Sequence, residues 1–294
     1  MTKTFKVFLC GIMLILTCCV TIKPMNTTVE DRKINKYQWL SQNPERPKAL
    51  IVLVHGLNLK PEKMDDWAQV LMQRGALILR VGLKGHEGSL EDMQEVHAFD
   101  WQQDFREAML KAYEKSLDLD IPIYFLGFSL GALVGIDWLE HTSDEHISFK
   151  KMVLIAPALS LPWYSKQAVK FLSFFNKKTI LPSRSPKNYR AQSGTSVSAY
   201  EALISLKEAV DKAAYKKSNV STLVIMDKDD ELISLEDIKK LINEHRLNNW
   251  STEVVNNKFA HENYGFRHLL VDEESVGVDL WQQITSRVFE HFSL

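Results

Sequence analysis

Short runs with an apolar centre, alternating with helix-length segments, constrain this chain most. "ALIVLVHG" (49–56) has no polar residue before His55, and "ALILRVGL" (76–83), "IPIYFLGF" (121–128), "KKMVLIAPAL" (150–159), "STLVIMDKDD" (221–230) and "TEVVNN" (252–257) follow at intervals. An apolar run without polar alternation has to be covered on both faces, which is the environment of a parallel strand between helices. Helical patterns fill the intervals at 62–74, 99–117, 130–140, 235–245 and 276–292. In the second of these, Phe99, Phe105, Met109, Ala112 and Tyr113 are the expected inner face. The fold class that follows is α/β: a doubly wound, mostly parallel sheet with its sites at the C-terminal ends of the strands.

Residues 160–218 break this rhythm. "WYSKQAVKFLSFF" places Tyr164, Ala168, Phe171, Leu172 and Phe175 at helical spacing, then comes the Pro/Ser/Arg-rich "LPSRSPKNYR", then a second helix over "SAYEALISLKEAVDKAA". The segment reads as a helical cap inserted after the fourth expected strand. It carries eleven lysines and arginines against three acids, although the whole chain has a formal net charge of only −1. That overall balance argues against a nucleic-acid partner.

The N-terminus stands apart. "MTKTFK" is basic and "VFLCGIMLILTCCV" (7–20) is almost wholly apolar, as in an export signal. The run is short for a spanning helix, which needs about 20 apolar residues. All three cysteines, Cys10, Cys18 and Cys19, fall here, so the remainder has no disulfide framework. Residues 1–22 are read as a secretory signal, a lipoprotein signal with Cys18 or Cys19 as the lipidated residue, or a retained anchor. Residues 23–47 follow as a polar tether with a short helix around "INKYQWL", and 48–294 as the main domain. The setting implied is membrane-associated or exported.

Between the third strand and the next helix lies Gly127-Phe128-Ser129-Leu130-Gly131, the G-x-S-x-G pattern in its strand–turn–helix context. The turn is sharp enough that the flanking positions must lack bulk, and it lifts the serine above the sheet edge. A serine hydroxyl needs a base, and the base an orienting acid, in the chain order Ser, acid, His. "VIMDKDDELIS" offers Asp227, Asp229 and Asp230, with Asp230 favoured because it begins the turn into the next helix. His261 in "FAHENYG" and His268 in "YGFRHLLVDEE" compete as base, and His268 is preferred. The oxyanion donors expected are the backbone N–H groups of Leu130 and Leu57, with His55 and Gly56 shaping the loop that carries Leu57.

Together these residues give the chain a resemblance to α/β-hydrolases, in the branch of monoacylglycerol lipases and small carboxylesterases with a serine aminopeptidase S33-type domain. The resemblance covers roughly 48–292 and rests on "VLVHGL", "GFSLG", "DKDDELIS" and "RHLLVDEE". "LKGHEGS" (83–89) resembles the Arg-Gly-His-Gly-x-Ser loop of that branch, with Lys84 for the arginine and Glu87 inserted, and "FDWQQDFREAM" resembles its helix carrying Trp101 and Asp104. The family's usual glycine three residues before the acid is replaced here by Asp227. The resemblance implies a serine hydrolase acting on lipid-like carboxylic esters, such as acylglycerols or lysophospholipids, through an acyl-enzyme. No metal or cofactor is needed for that chemistry. Two alternatives keep the same fold: a lipid- or partner-binding protein without turnover, and an acyltransferase.

Overall fold

The computed structural model describes residues 36–42, 46–161 and 163–294. The N-terminal signal or anchor, with Cys10, Cys18 and Cys19, and most of the expected tether lie outside the described residues. In chain order the sheet-forming and flanking elements begin with β1 (Tyr37–Leu40), β2 (Ala49–Val54), α1 (Asp65–Gln73), β3 (Ala76–Val81), α2 (Leu90–Gln94), α3 (Ala98–Leu119), β4 (Ile123–Phe128), α4 (Leu130–His141) and β5 (Lys151–Ile155). They continue with α5 (Trp163–Phe175), β6 (Ile180–Pro182), β7 (Gly194–Ser196), α6 (Val197–Asp211), β8 (Ser221–Asp227), α7 (Leu235–Glu244), β9 (Trp250–Val255), α8 (Lys258–Tyr264), α9 (Glu273–Val276) and α10 (Val278–Phe292).

Seven strands form one sheet in the order β1-β3-β2-β4-β5-β8-β9. All neighbours are parallel except β1 and β3. This is the doubly wound, mostly parallel sheet expected from the apolar runs. β2 shows why its run has no polar residue: every side chain in it is buried. Leu50, Val52 and Val54 enter the core layer shared with α3 and α4, and Ala49, Ile51 and Leu53 the layer shared with α1 and α10. The two-residue side-chain period of a strand splits one run between both faces.

The N-terminal edge corrects one expectation. Tyr37–Leu40 is not helical but an edge strand, with Tyr37 opposite Val81 and Leu40 opposite Ile78. A single turn of isolated helix is unstable, whereas an aromatic segment beside the open edge of β3 gains ladder hydrogen bonds. α3 corrects another: Phe99 is 65% exposed, and the inner stripe is Trp101, Phe105, Ala108, Met109 and Ala112. Counting back one turn from Phe105 reaches Trp101, so Phe99 falls on the outer face.

The cap lies between β5 and β8, as its interrupted rhythm suggested, and adds a β6–β7 hairpin that the Pro/Ser-rich segment did not signal. α5 buries Val169 and leaves Phe171 exposed, so its expected face is displaced. Apolar residues ring that helix too broadly for one stripe to be chosen from spacing alone. α6 joins the main core through Ala202, Leu203, Leu206 and Val210.

Phe125 at the centre of β4 stacks on Phe149 at 4.8 Å and meets Phe105 edge-on at 5.9 Å. Replacing it by Ala should cost about 3–5 kcal/mol of unfolding free energy in urea titration, with the m-value unchanged. A loss under about 1 kcal/mol would contradict a close-packed centre.

Candidate active site

The site is built where the chain reverses direction across the sheet. From β2 the chain adds β3 on one side and then crosses to add β4 on the other, leaving a crevice beyond the strand ends. Ser129 occupies the turn between β4 and α4 with φ 52° and ψ −111°, a conformation that non-glycine residues rarely adopt. Three backbone hydrogen bonds hold it there: Ser129 N–H donates to Ile155 O (2.9 Å), and Ser129 O accepts from Leu133 N–H (3.2 Å) and Ala158 N–H (3.1 Å). Gly127 and Gly131 are required by close approach. A Cβ on Gly127 would stand 2.7 Å from Ala132 N, and one on Gly131 2.7 Å from His55 O and closer still to Val54 O.

Of the three candidate acids, Asp230 reaches the histidine. His268 Nδ1 donates to Asp230 Oδ2 at 2.7 Å, which leaves Nε2 free to accept from Ser129 Oγ at 3.0 Å. Burial would raise the Asp230 carboxyl, but the His268 charge and hydrogen bond, with the Leu232 and Ile233 amides, hold it below the usual carboxylate range. Asp230 thus stays ionised. Asp227 is fully buried and accepts from the N–H groups of Asn257 and Asp229, with Arg267 Nη1 3.9 Å away. It ties the loop after β8 to the loop after β9. Asp229 pairs with its neighbour Lys228. His261 lies exposed on α8, away from this chain of hydrogen bonds.

Sequence reasoning missed Glu231. Its carboxylate accepts from Arg267 N–H at 2.8 Å and from His268 N–H at 3.2 Å, so the loop that carries Asp230 also grips the backbone of the histidine. Adjacency to Asp230 was the only available sign, and it does not distinguish such a grip from a solvated carboxylate.

Leu57, expected with Leu130 to supply oxyanion donors, follows β2, and Leu130 follows the serine. Neither amide N–H has an acceptor among the described residues. Beneath Leu57, His55 is buried: its Nδ1 donates to Gly56 O (2.8 Å) and its Nε2 accepts from Leu83 N–H (3.1 Å). This pattern fixes a neutral imidazole. His86 lies 4.5 Å from it, ring to ring, also buried, with Nδ1 3.0 Å from Leu83 O and Nε2 without a partner among the described residues. Burial pushes His86 down to about 4, and burial with the neighbouring His86 lowers His55 well below its ordinary value. Trp101 Nε1 donates to Lys84 O (3.1 Å) and Lys84 N–H to Asp104 Oδ2 (2.8 Å), so α3 pins this second loop.

Asn58 is a further residue that spacing did not reveal. It sits at φ 54°, its Oδ1 accepts from Gln192 N–H (2.8 Å), and its backbone O accepts from Ala191 N–H (3.0 Å). The cap's return segment is thereby stitched to the loop that carries Leu57.

A pocket of about 390 Å³ opens onto Ser129 and His268. Its walls are mainly apolar: Leu57, Phe128, Leu161, Tyr200, Leu203 and Phe266 among them. A larger hollow of about 500 Å³ between α3 and the cap contains none of the three linked side chains and shares only Val169 and Ile204 with the first. The chemistry therefore points to the smaller one. Among the described residues no group of three or more His, Cys, Asp or Glu is placed to hold a metal, and no helix is long and apolar enough to cross a membrane.

Residues 45–265 match the family described as "Serine aminopeptidase, S33". Phospholipase YtpA of Bacillus subtilis (strain 168) is 25% identical over 117 residues, which span 40% of this chain and 43% of that protein. The aligned part is thus under half of that relative's length. A soluble variant of monoglyceride lipase from Saccharomyces cerevisiae superposes with a TM-score of 0.69 at 12% identity, covering 87% of this chain and 91% of that one. Paleococcus ferrophilus monoacylglycerol lipase superposes at 0.63 with 16% identity, covering 87% and 98%. At such identities the two structures speak for the fold.

The buried neutral His86 has a stability signature. Its folded value lies below the 6.5 of an ordinary histidine, so between pH 6.5 and about 4 the unfolded chain binds the proton and the folded chain does not. Stability falls as pH drops through that window, by about 3 kcal/mol from this residue. Urea titrations from pH 7 to 4.5 should show a shallower decline for His86→Gln than for the wild type. Parallel declines would place the His86 proton elsewhere.

Proposed function

Because this chain belongs to the serine aminopeptidase S33 family of hydrolases, we propose that it hydrolyses carboxylic esters with an apolar acyl group, using Ser129 as nucleophile. The observation that carries this reading is the unbroken chain Asp230–His268–Ser129, at 2.7 and 3.0 Å, opening onto an apolar pocket. Ser129 Oγ attacks the ester carbonyl while His268 Nε2 takes its proton. Asp230 stabilises the imidazolium that forms. The oxyanion accepts from the N–H groups of Leu57 and Leu130, which already lack acceptors and so need no reorganisation. His268 then protonates the departing alcohol, and water admitted to the same imidazole releases the acid from the acyl-enzyme.

The apolar walls favour lipid-like esters such as monoacylglycerols and lysophospholipids. The names of the phospholipase and the two monoacylglycerol lipases above point the same way. The apolar run at 7–20 supports a membrane-associated or exported setting.

A fluorophosphonate probe should label the wild type and not Ser129→Ala. With p-nitrophenyl butyrate, His268→Ala and Asp230→Asn should each lower kcat by about 10⁴-fold. Labelling that persists in Ser129→Ala, or full activity in His268→Ala, would overturn the assignment.

A further inference from the structure

Among the described residues that line the pocket, Arg184, in the cap segment after β6, is the one arginine or lysine. It is exposed and lines the pocket together with its half-buried neighbours Ser183 and Ser185, which puts it at the rim. The next arginine along behaves differently: Arg190 Nη1 donates to Ser183 O (3.3 Å) and Ser193 O (3.4 Å) and so braces the segment. Ser185 N–H donates to Ser183 Oγ at 3.2 Å and tightens the same turn. Arg184 itself has no ion-pair or hydrogen-bond partner among the described residues. From 176 to 200 the sequence has no acid; Lys177 and Lys178 pair with Glu201 and Glu95 from outside the segment, which leaves Arg184, Lys187 and Arg190 as its cations without an ion pair among the described residues. The pocket's acid, Glu231, is committed to the Arg267 and His268 amides on the opposite, histidine-bearing loop.

Resting on the esterase reading above, we propose that Arg184 binds an anionic, phosphate-class group on the alcohol side of the ester, so that monoacyl glycerophosphates are preferred over neutral monoacylglycerols. The acyl chain occupies the apolar wall, the carbonyl meets Ser129, and the alcohol portion is left toward the rim. There the planar guanidinium offers paired N–H donors that match two phosphate oxygens, and the Ser183 and Ser185 hydroxyls stand beside it. An exposed surface pair would be worth little, but here the ester bond holds the anion at one distance from the serine, so the ordering cost is partly met by acyl binding.

The test compares 1-dodecanoylglycerol with 1-dodecanoylglycerol 3-phosphate, both as dispersed monomers, using p-nitrophenyl butyrate as the control. Arg184→Gln should lower kcat/KM on the phosphate ester about tenfold and leave the other two within about twofold, with Arg184→Lys in between. Inorganic phosphate should compete with the phosphate ester in the wild type and not in Arg184→Gln. The wild-type preference should shrink as salt rises. An equal loss on all three substrates, or no preference in the wild type, overturns the proposal. So does a preference seen only when substrate is held in vesicles, which would assign the arginine to surface attraction. If the wild type neither turns over p-nitrophenyl butyrate nor takes the fluorophosphonate label, the esterase reading itself fails. Turnover of the control without discrimination sinks the Arg184 subsite alone.

Discussion

Ser129 sits in a backbone conformation that a serine does not adopt by preference, and much of the surrounding architecture serves to keep it there. The turn is anchored on one side by β5, through Ile155 O, and on the other by α4 and the segment after β5, through Leu133 and Ala158. For α4 to start at that point its first turn must nearly touch β2, and only glycine at 131 permits the approach. The positive φ and the close helix-to-strand contact are thus one constraint. Its consequence is positional: the hydroxyl rises at the crevice where the loops after β2, β8 and β9 can also arrive.

The loops after β8 and β9 are joined by carboxylates, of which Asp227 is fully buried and Glu231 exposed. Asp230 grips the His268 ring and Glu231 its backbone, while Asp227 reaches the Asn257 amide from the base of the same loop. Three acids of one loop therefore hold the stretch from Asn257 to His268 at different donors. Each finds N–H donors, which is what makes their proximity tolerable in a partly desolvated place. The neutral His55–His86 pair does the complementary task under Leu57, where uncharged rings fill space and orient a loop without adding a positive charge.

The cap is not a detached lid. α6 is part of the main core, and Asn58 bonds the cap's return segment to the loop that holds Leu57. Whatever enters the pocket therefore meets a wall covalently distant from the strand ends yet hydrogen-bonded to them. A change at the cap's base would be felt at Leu57, whereas Arg184 at the rim is free of those bonds.

The alternation of apolar runs and helical segments determined the sheet and its parallel sense, and marked the turn at Ser129 and the loops that offered Asp230 and His268 among other candidates, because burial on two faces and a strand–turn–helix corner both leave a mark on local composition. The same reasoning misread Tyr37–Leu40 and Phe99. Four residues gain strand structure only from the edge of β3, and a single aromatic does not fix the phase of a helix. Tertiary structure alone decided that Asp227 is a buried brace, that Glu231 holds the histidine's backbone, that Asn58 links cap to loop, and that Arg190 braces its segment while Arg184 has no partner among the described residues. Those roles depend on which donors from residues far along the chain come within hydrogen-bonding distance, and a carboxylate, amide or guanidinium looks the same in sequence whether that partner is present or not.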